Sequence, residues 1–229
     1  KTIKEAGDNG QLECLKYCHE NGCEWNENVS ESCVKYGNLE CLKYMDINNC
    51  PVIYNIGEIA VKYNQLDCLK YIISRNLFVD KDLAAKILYE NSKKDFINKY
   101  YQPMINQMCI TAIVNGNFEC FKFLYENCNV HLENINSDLL KDYRNIDLLK
   151  YLHNRNLIKD DNLSYSLSSS HSKDFEFIIY YVDNKLPGYE RFLSENFIQK
   201  INQRIRWNFN EFDIFLKSTY FRNKINVRT

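Results

Sequence analysis

The sequence predicts an all-α fold, a helical solenoid of about seven to eight helix-turn-helix repeats of about 27 residues each. Two observations predict it. A short apolar string recurs along the chain at that period, and a turn containing Gly or Asn precedes most copies. Within each copy the apolar residues return every three or four positions, which is the spacing of one helix face.

The recurring string begins with Gln or Asn and ends with an aromatic residue in its clearest copies. These occupy residues 11–17 (QLECLKY), 38–44 (NLECLKY), 65–71 (QLDCLKY), 117–123 (NFECFKF) and 145–151 (NIDLLKY), with a weaker copy at 174–180 (DFEFIIY). Because two periods separate Gln65 from Asn117, we expect a decayed repeat near residues 93–101. A last, diverged copy is expected at residues 211–217.

Each copy is predicted to be the second helix of a hairpin. Leu12, Leu15 and Cys18 share one apolar face, while Glu13 and Lys16 can pair on the solvent side. A shorter helix is predicted before the string, over residues 29–36, 56–63 and 105–114, and Gly or Asn follows it. Gly and Asn tolerate the left-handed backbone that ends a helix. A leucine-rich repeat has a similar period, but its asparagine ladder is missing.

The cysteines follow the same period. Ten are present, and Cys14, Cys41 and Cys68 occupy one repeat position while Cys23 and Cys50 occupy another. No Cys-x-x-Cys pair of the zinc type occurs. We therefore expect reduced core cysteines in a reducing compartment, with no metal and no cofactor. The less favoured alternative is a metal site made of Cys14, Cys18, His19 and Cys23.

Charge and motifs favour a binding protein over an enzyme. The formal net charge of −1 gives no overall attraction to nucleic acid or to a membrane. No apolar run is long enough to span a bilayer. No P-loop, dinucleotide loop or nucleophile elbow is present. His19 and His153 share one repeat phase, which favours a scaffold role over catalysis. We expect no catalytic residues and no small-molecule substrate.

Residues 10–17 (GQLECLKY) with 19–23 (HENGC) resemble the short ankyrin repeats of giant DNA viruses of amoebae. The resemblance covers residues 1 to about 185, most strongly 1–75 and 105–155. Three features depart from the ankyrin pattern. The Thr-Pro-Leu-His opening is missing, paired Ala survives only at Ala84 and Ala85, and the loops are too short for a full β-hairpin finger.

The resemblance implies protein recognition along a concave surface made by the first helices and the loops before them. By position, the two residues ahead of each turn would face that surface: Lys35, Tyr36, Lys62, Tyr63, Val114, Asn115, Asp142 and Tyr143. Tyrosine often contributes strongly to protein interfaces. An equal alternative is that these tyrosines only pack between repeats. The expected partner is a host or viral protein in the host cytoplasm or nucleus. A virion component and a ubiquitin-ligase substrate adaptor are alternative roles.

The sequence predicts two regions. Residues 1–186 form the repeat array, and residues 187–229 form a diverged capping repeat and tail. The second region has an excess of Lys and Arg, including Arg204 and Arg206 beside Trp207. A solvated helix and tail explain this excess better than nucleic-acid binding, which is the weaker alternative. Because the chain starts at Lys1 within a repeat, we expect it to be part of a longer repeat protein.

Overall fold

A computed structural model describes residues 2–79, 100–130, 132, 145–158, 172–186 and 189–190. Within these ranges the chain is mostly helical and contains no strand, which confirms the all-α prediction at that level. The chain divides into two compact units, Lys1–His131 and Leu132–Thr229, called the N-terminal and C-terminal units. The capping region predicted after residue 186 lies almost entirely outside the described residues and stays a prediction.

Ten helices lie within the described ranges. They are α1 (Thr2–Asp8), α2 (Leu12–Glu20), α3 (Glu27–Lys35), α4 (Leu39–Ile47), α5 (Ile56–Lys62), α6 (Leu66–Arg75), α7 (Gln102–Val114), α8 (Phe118–Asn127), α9 (Ile146–Asn154) and α10 (Ser172–Asp183). The first residues of the predicted strings lie within a residue or two of the first residues of α2, α4, α6, α8 and α9. Those five helices and the first helices before α4, α6 and α8 are confirmed.

Helices of the N-terminal unit form two rows. Each odd-numbered helix packs against the even-numbered helix that follows it, so α1–α2, α3–α4, α5–α6 and α7–α8 are hairpins. The first helices α1, α3, α5 and α7 are successive neighbours, and so are the second helices α2, α4, α6 and α8. Each hairpin therefore covers its apolar faces with the hairpins beside it.

A left-handed residue ends each first helix of this unit. The residues are Gly10, Gly37, Asn64 and Gly116, with φ between 56° and 74°. The next amide then returns to a carbonyl of the helix, as Asn38 N does to Cys33 O at 2.7 Å. This hydrogen bond is typical of a Schellman helix end and satisfies a carbonyl that the helix leaves open. The turn chemistry predicted from Gly and Asn is confirmed.

The first residue after the turn joins its hairpin to the preceding one. The side-chain amide of Asn38 donates to Gly7 O at 2.6 Å, and that of Gln65 donates to Lys35 O at 3.2 Å. Both acceptors are carbonyls in the last turn of a first helix, where intrahelical donors run out. We call these inter-hairpin bonds amide clamps. They explain why the strings at residues 38–44 and 65–71 open with Asn and Gln.

The same clamp shows that α7–α8 packs directly on α5–α6. Asn117 Nδ2 donates to Val61 O at 2.7 Å and to Lys62 O at 3.2 Å, and α5 contacts α7. The α7–α8 hairpin therefore follows α5–α6 directly in the stack, and the decayed repeat expected near residues 93–101 stays a prediction. A period counts residues along the chain, whereas the clamp and the packing decide which hairpins touch. Residues 80–99 themselves lie outside the described ranges.

Large apolar side chains at one register position form the centre of the N-terminal unit. Leu15, Leu42, Leu69 and Phe121 are all 0% exposed. Cys41, Cys68 and Cys120 are also buried, as predicted, and all ten cysteines are free thiols. Cys14 is exposed, which corrects the prediction for that copy. This position faces the preceding hairpin, since Cys120 Sγ lies 3.6 Å from Asn64 Oδ1. Cys14 is on α2, which belongs to the first hairpin of the described stack, so no described hairpin covers it.

The C-terminal unit contains α9 and α10, which contact each other. Asn145 caps α9, since its Oδ1 accepts hydrogen bonds from the backbone amides of Asp147 and Leu148. Left-handed Asn156 follows α9 (φ 54°). Leu149 and Tyr181 are completely buried. The last turns of these helices therefore close as those of the N-terminal unit do.

Gly37→Ala should lower the free energy of unfolding by about 2 kcal/mol. The φ of 74° at Gly37 costs a residue with a Cβ about 1–2 kcal/mol. The added Cβ would also collide with the Gln65 side chain, so that its clamp to Lys35 O, worth about 1 kcal/mol, is lost. Denaturant titration followed by circular dichroism measures the change.

Gly22→Ala is the matched control for that change. Gly22 has a nearly identical φ of 75°, but nothing lies within 4 Å of its added Cβ. It should show the backbone cost alone. Equal losses from the two substitutions would contradict a contribution from the amide clamp.

Candidate protein-binding surface

The ends of α3 and α5 present two Lys-Tyr pairs in the same register. Lys35 and Tyr36 precede the turn at Gly37, and Lys62 and Tyr63 precede the turn at Asn64. Tyr36 is 53% exposed and Tyr63 is 39% exposed. We call Lys35, Tyr36, Lys62 and Tyr63 the turn stripe. The four residues therefore occupy matching positions on neighbouring hairpins, and their place on a concave binding surface stays a prediction.

Ammonium groups lie over the tyrosine rings along the turn stripe. Lys35 Nζ is 5.2 Å from the centroid of the Tyr36 ring and 5.4 Å from that of Tyr63. Lys62 Nζ is 5.7 Å from the centroid of the Tyr63 ring. These distances fall within the range of cation–π attraction, worth about 0.5–1 kcal/mol at an exposed site. Lys35 therefore connects two hairpins, and the four side chains form one continuous surface.

On α1, next to the turn stripe, the charged side chains are paired with each other. Asp8, which shares the register of Lys35, forms an ion pair with Lys4 at 3.0 Å. A hydrogen bond from Ser32, then the Lys4 bond and the Lys4 and Lys35 charges, hold the pKa of Asp8 below its ordinary value. Asp8 is thus already paired. No carboxylate lies within 4.0 Å of the Lys35 or Lys62 ammonium among the residues in the described ranges.

The other residues predicted for this surface do not extend the row of lysines among the described residues. Val114 and Asn115 end α7 in the same register and are half-buried. Asn115 Nδ2 donates to Thr111 O at 2.7 Å, so its amide is used within its own helix. Asp142 and Tyr143 lie outside the described residues. The charged part of the surface therefore spans two hairpins.

Two features of this surface were missed by sequence reasoning. Glu31 and Glu58 lie one helical turn before Lys35 and Lys62, so an acidic row accompanies the basic one. Tyr54, just ahead of α5, is 73% exposed. The i, i+4 spacing from the lysines was available for the first feature. Nothing in the string around Tyr54 distinguishes it from a core tyrosine.

The second helices use their histidines and tyrosines to hold hairpins together. His19 Nδ1 lies 3.0 Å from Tyr44 Oη, and Tyr71 Oη donates to Asp46 Oδ2 at 2.9 Å. His19 and Asp46 share one register position, as do Tyr44 and Tyr71. In the C-terminal unit, the His153 and Tyr180 side chains meet in the same way at 2.9 Å. These contacts support the scaffold interpretation of His19.

The buried thiols are poor candidates for nucleophiles. Burial raises the pKa of Cys68 and of Cys120 to about 11, so both are neutral at physiological pH. Cys14 and Cys23 are exposed, so the prediction of a core cysteine is wrong for Cys23 as well, although Cys50 at the same repeat position is buried. No group of three or more His, Cys, Asp or Glu side chains that would hold a metal occurs within the described part of the chain.

Comparisons with known proteins add no assignment. None of the described helices is long and apolar enough to cross a membrane. No protein-family model matches the chain, and no curated protein matches it significantly.

Proposed function

We propose that this chain is an ankyrin-type repeat scaffold that binds a protein partner through the turn stripe and carries out no catalysis. The observation that carries the proposal is the continuous Lys-Tyr surface of two neighbouring hairpins. Its tyrosines are exposed and its ammoniums have no carboxylate partner among the described residues. Exposed tyrosines are enriched among the residues that contribute most to binding between proteins.

The ankyrin assignment is supported by the sequence resemblance and by the hairpin arrangement of the N-terminal unit. Helix, left-handed turn, helix and clamp recur there with the same hydrogen bonds. A stack of this kind holds exposed side chains of successive hairpins at fixed spacing. The register that aligns Tyr36 with Tyr63 therefore follows from the same bonds that stabilise the stack. A role in the host cytoplasm or nucleus remains part of the proposal.

The double variant Tyr36→Ala/Tyr63→Ala should recover at least about tenfold less partner than the unmodified chain. A tyrosine at the centre of an interface contributes about 2 kcal/mol or more, and 1.4 kcal/mol is already tenfold in affinity. The measurement is affinity purification from the native host cell with quantitative mass spectrometry. Circular dichroism establishes that the variant is folded.

The matched control is Tyr17→Ala/Ile47→Ala, which removes two exposed side chains from the second helices. Tyr17 is 68% exposed and Ile47 is 72% exposed. This variant should recover the same proteins in the same amounts as the unmodified chain. Undiminished recovery by the folded Tyr36→Ala/Tyr63→Ala variant would reject the turn stripe as the binding surface.

A further inference from the structure

The two lysines of the turn stripe form no ion pair among the described residues. Each ammonium rests on a tyrosine ring rather than on a carboxylate. By contrast, Lys16 and Lys43 on the second helices pair with Glu13 and Glu40 at 2.7 and 2.6 Å. Lys16 and Lys43 are therefore paired with carboxylates, whereas Lys35 and Lys62 have no ion pair among the described residues.

The tyrosine rings leave the two ammonium groups available to bind an anionic ligand. A cation–π contact at an exposed site is weak, while a hydrogen-bonded carboxylate is a stronger partner for an ammonium. The ring contacts restrict the Lys35 and Lys62 ammoniums, so less side-chain freedom is lost when an anion binds. The rings also offer an apolar surface beside each charge. A ligand that fits has carboxylates next to apolar groups.

The flanking residues limit the length of that ligand. The Lys4–Asp8 pair closes one end, and uncharged Val114 and Asn115 follow at the other. Neighbouring packed helices lie about 8–10 Å apart, and a peptide in the polyproline II conformation rises about 3.1 Å per residue with about three residues per turn, so side chains three residues apart lie on one side. Carboxylates about three residues apart would therefore meet Lys35 and Lys62 together.

The acidic row argues for a peptide over a nucleic acid. Glu31 and Glu58 lie one turn from the lysines and would repel a second line of negative charge. A nucleic acid carries a phosphate at every nucleotide, whereas a peptide can place its carboxylates along the lysines alone. The chain as a whole, with a net charge of −1, adds no attraction to a polyanion.

We propose that the turn stripe binds an acidic peptide segment of the partner, with carboxylates against Lys35 and Lys62 and apolar side chains on Tyr36 and Tyr63. This inference rests on the proposed scaffold function and names the chemistry of its partner.

Fluorescence anisotropy of the full chain with fluorescein-labelled peptides tests this chemistry. The probe is a peptide with Glu about every third residue and Leu between, the spacing that places the Glu side chains on one side of a polyproline II backbone, compared with matched peptides carrying Gln or Lys. The Glu peptide should bind at least about tenfold more tightly than the other two, and salt should weaken its binding. No preference for Glu over Gln would overturn the inference.

Variants with equal changes in charge show which lysines bind the peptide. Lys35→Gln/Lys62→Gln should weaken Glu-peptide binding at least about tenfold, while Lys16→Gln/Lys43→Gln removes the same charge and should leave it unchanged. Equal losses from both variants would show a general charge effect and overturn the assignment. Tighter binding of a single-stranded oligonucleotide of equal charge at the same lysines would overturn the choice of a peptide.

The two proposals fail in different ways. If recovery of the cellular partner depends on Tyr36 and Tyr63 but the Glu peptide does not bind, the scaffold function stands and the acidic partner is rejected. If the Glu peptide binds at the lysines but partner recovery is unaffected by the tyrosine variant, the proposed function of the surface is rejected.

Discussion

Leu69→Ala is expected to lower the free energy of unfolding of the N-terminal unit by about 3 kcal/mol, within the range of about 2–5 kcal/mol for buried leucines. Leu69 is 0% exposed on α6, and α6 packs against α4, α5 and α8. The substitution leaves a cavity that rigid neighbouring helices cannot fill. Because each hairpin is stabilised mainly by its neighbours, damage in the third hairpin weakens both sides of the stack.

Leu66→Ala on the same helix is the control. Leu66 is only half-buried, so that its loss should cost about 1 kcal/mol from the smaller area removed from water. Urea titrations of both variants, followed by circular dichroism, give the comparison. Similar losses for Leu66→Ala and Leu69→Ala would mean that the leucine register assigned to the core is incorrect.

Gly57→Leu should destabilise the same unit by about 3 kcal/mol, at the upper end of overpacking effects. Gly57 lies on α5 where α7 comes closest, and a Cβ added there would overlap the thioether of Met108. A leucine side chain would force α5 and α7 apart and strain the Asn117 clamp to Val61 O. The experiment therefore tests the direct contact between the α5–α6 and α7–α8 hairpins.

Two further variants separate this contact from other effects. Gly57→Ala should be nearly neutral, because the end of the Met108 side chain can move and Ala favours the helix over Gly by about 1 kcal/mol. Met108→Ala should relieve part of the Gly57→Leu cost in the double variant, giving a favourable coupling energy of about 1 kcal/mol or more. Additive losses in thermal or urea unfolding would show that residues 57 and 108 do not meet.

Most of the local structure was predictable because it depends on residues close in sequence. Gly37 and Asn64 identify left-handed helix ends, and the apolar spacing of Leu12, Leu15 and Cys18 identifies a helix face. The neighbour of the α7–α8 hairpin was not predictable in this way. A spacing of two periods before Asn117 does not show which hairpin its helix contacts. The Asn117 bond to the α5 carbonyl and the packing of Gly57 against Met108 do.

The candidate surface was predicted in part. The register of the residues before each turn correctly aligned Lys35 with Lys62 and Tyr36 with Tyr63. It did not show that Lys35 reaches the ring of Tyr63, because that contact depends on the distance between two hairpins. The exposure of Cys14 was missed for a related reason. A repeat position is buried only where another hairpin covers it, and sequence identity with Cys41 carries no information about coverage.

The Asn117 clamp has a consequence for how much sequence can separate two clamped hairpins. Its donor and acceptor are 56 residues apart, against 31 for the clamp from Asn38 to Gly7. The entropy lost when chain ends are brought together grows only logarithmically, so a near doubling of the span costs about 0.6 kcal/mol. The same kind of clamp can therefore join hairpins across either span of sequence at nearly the same cost in chain-closure entropy.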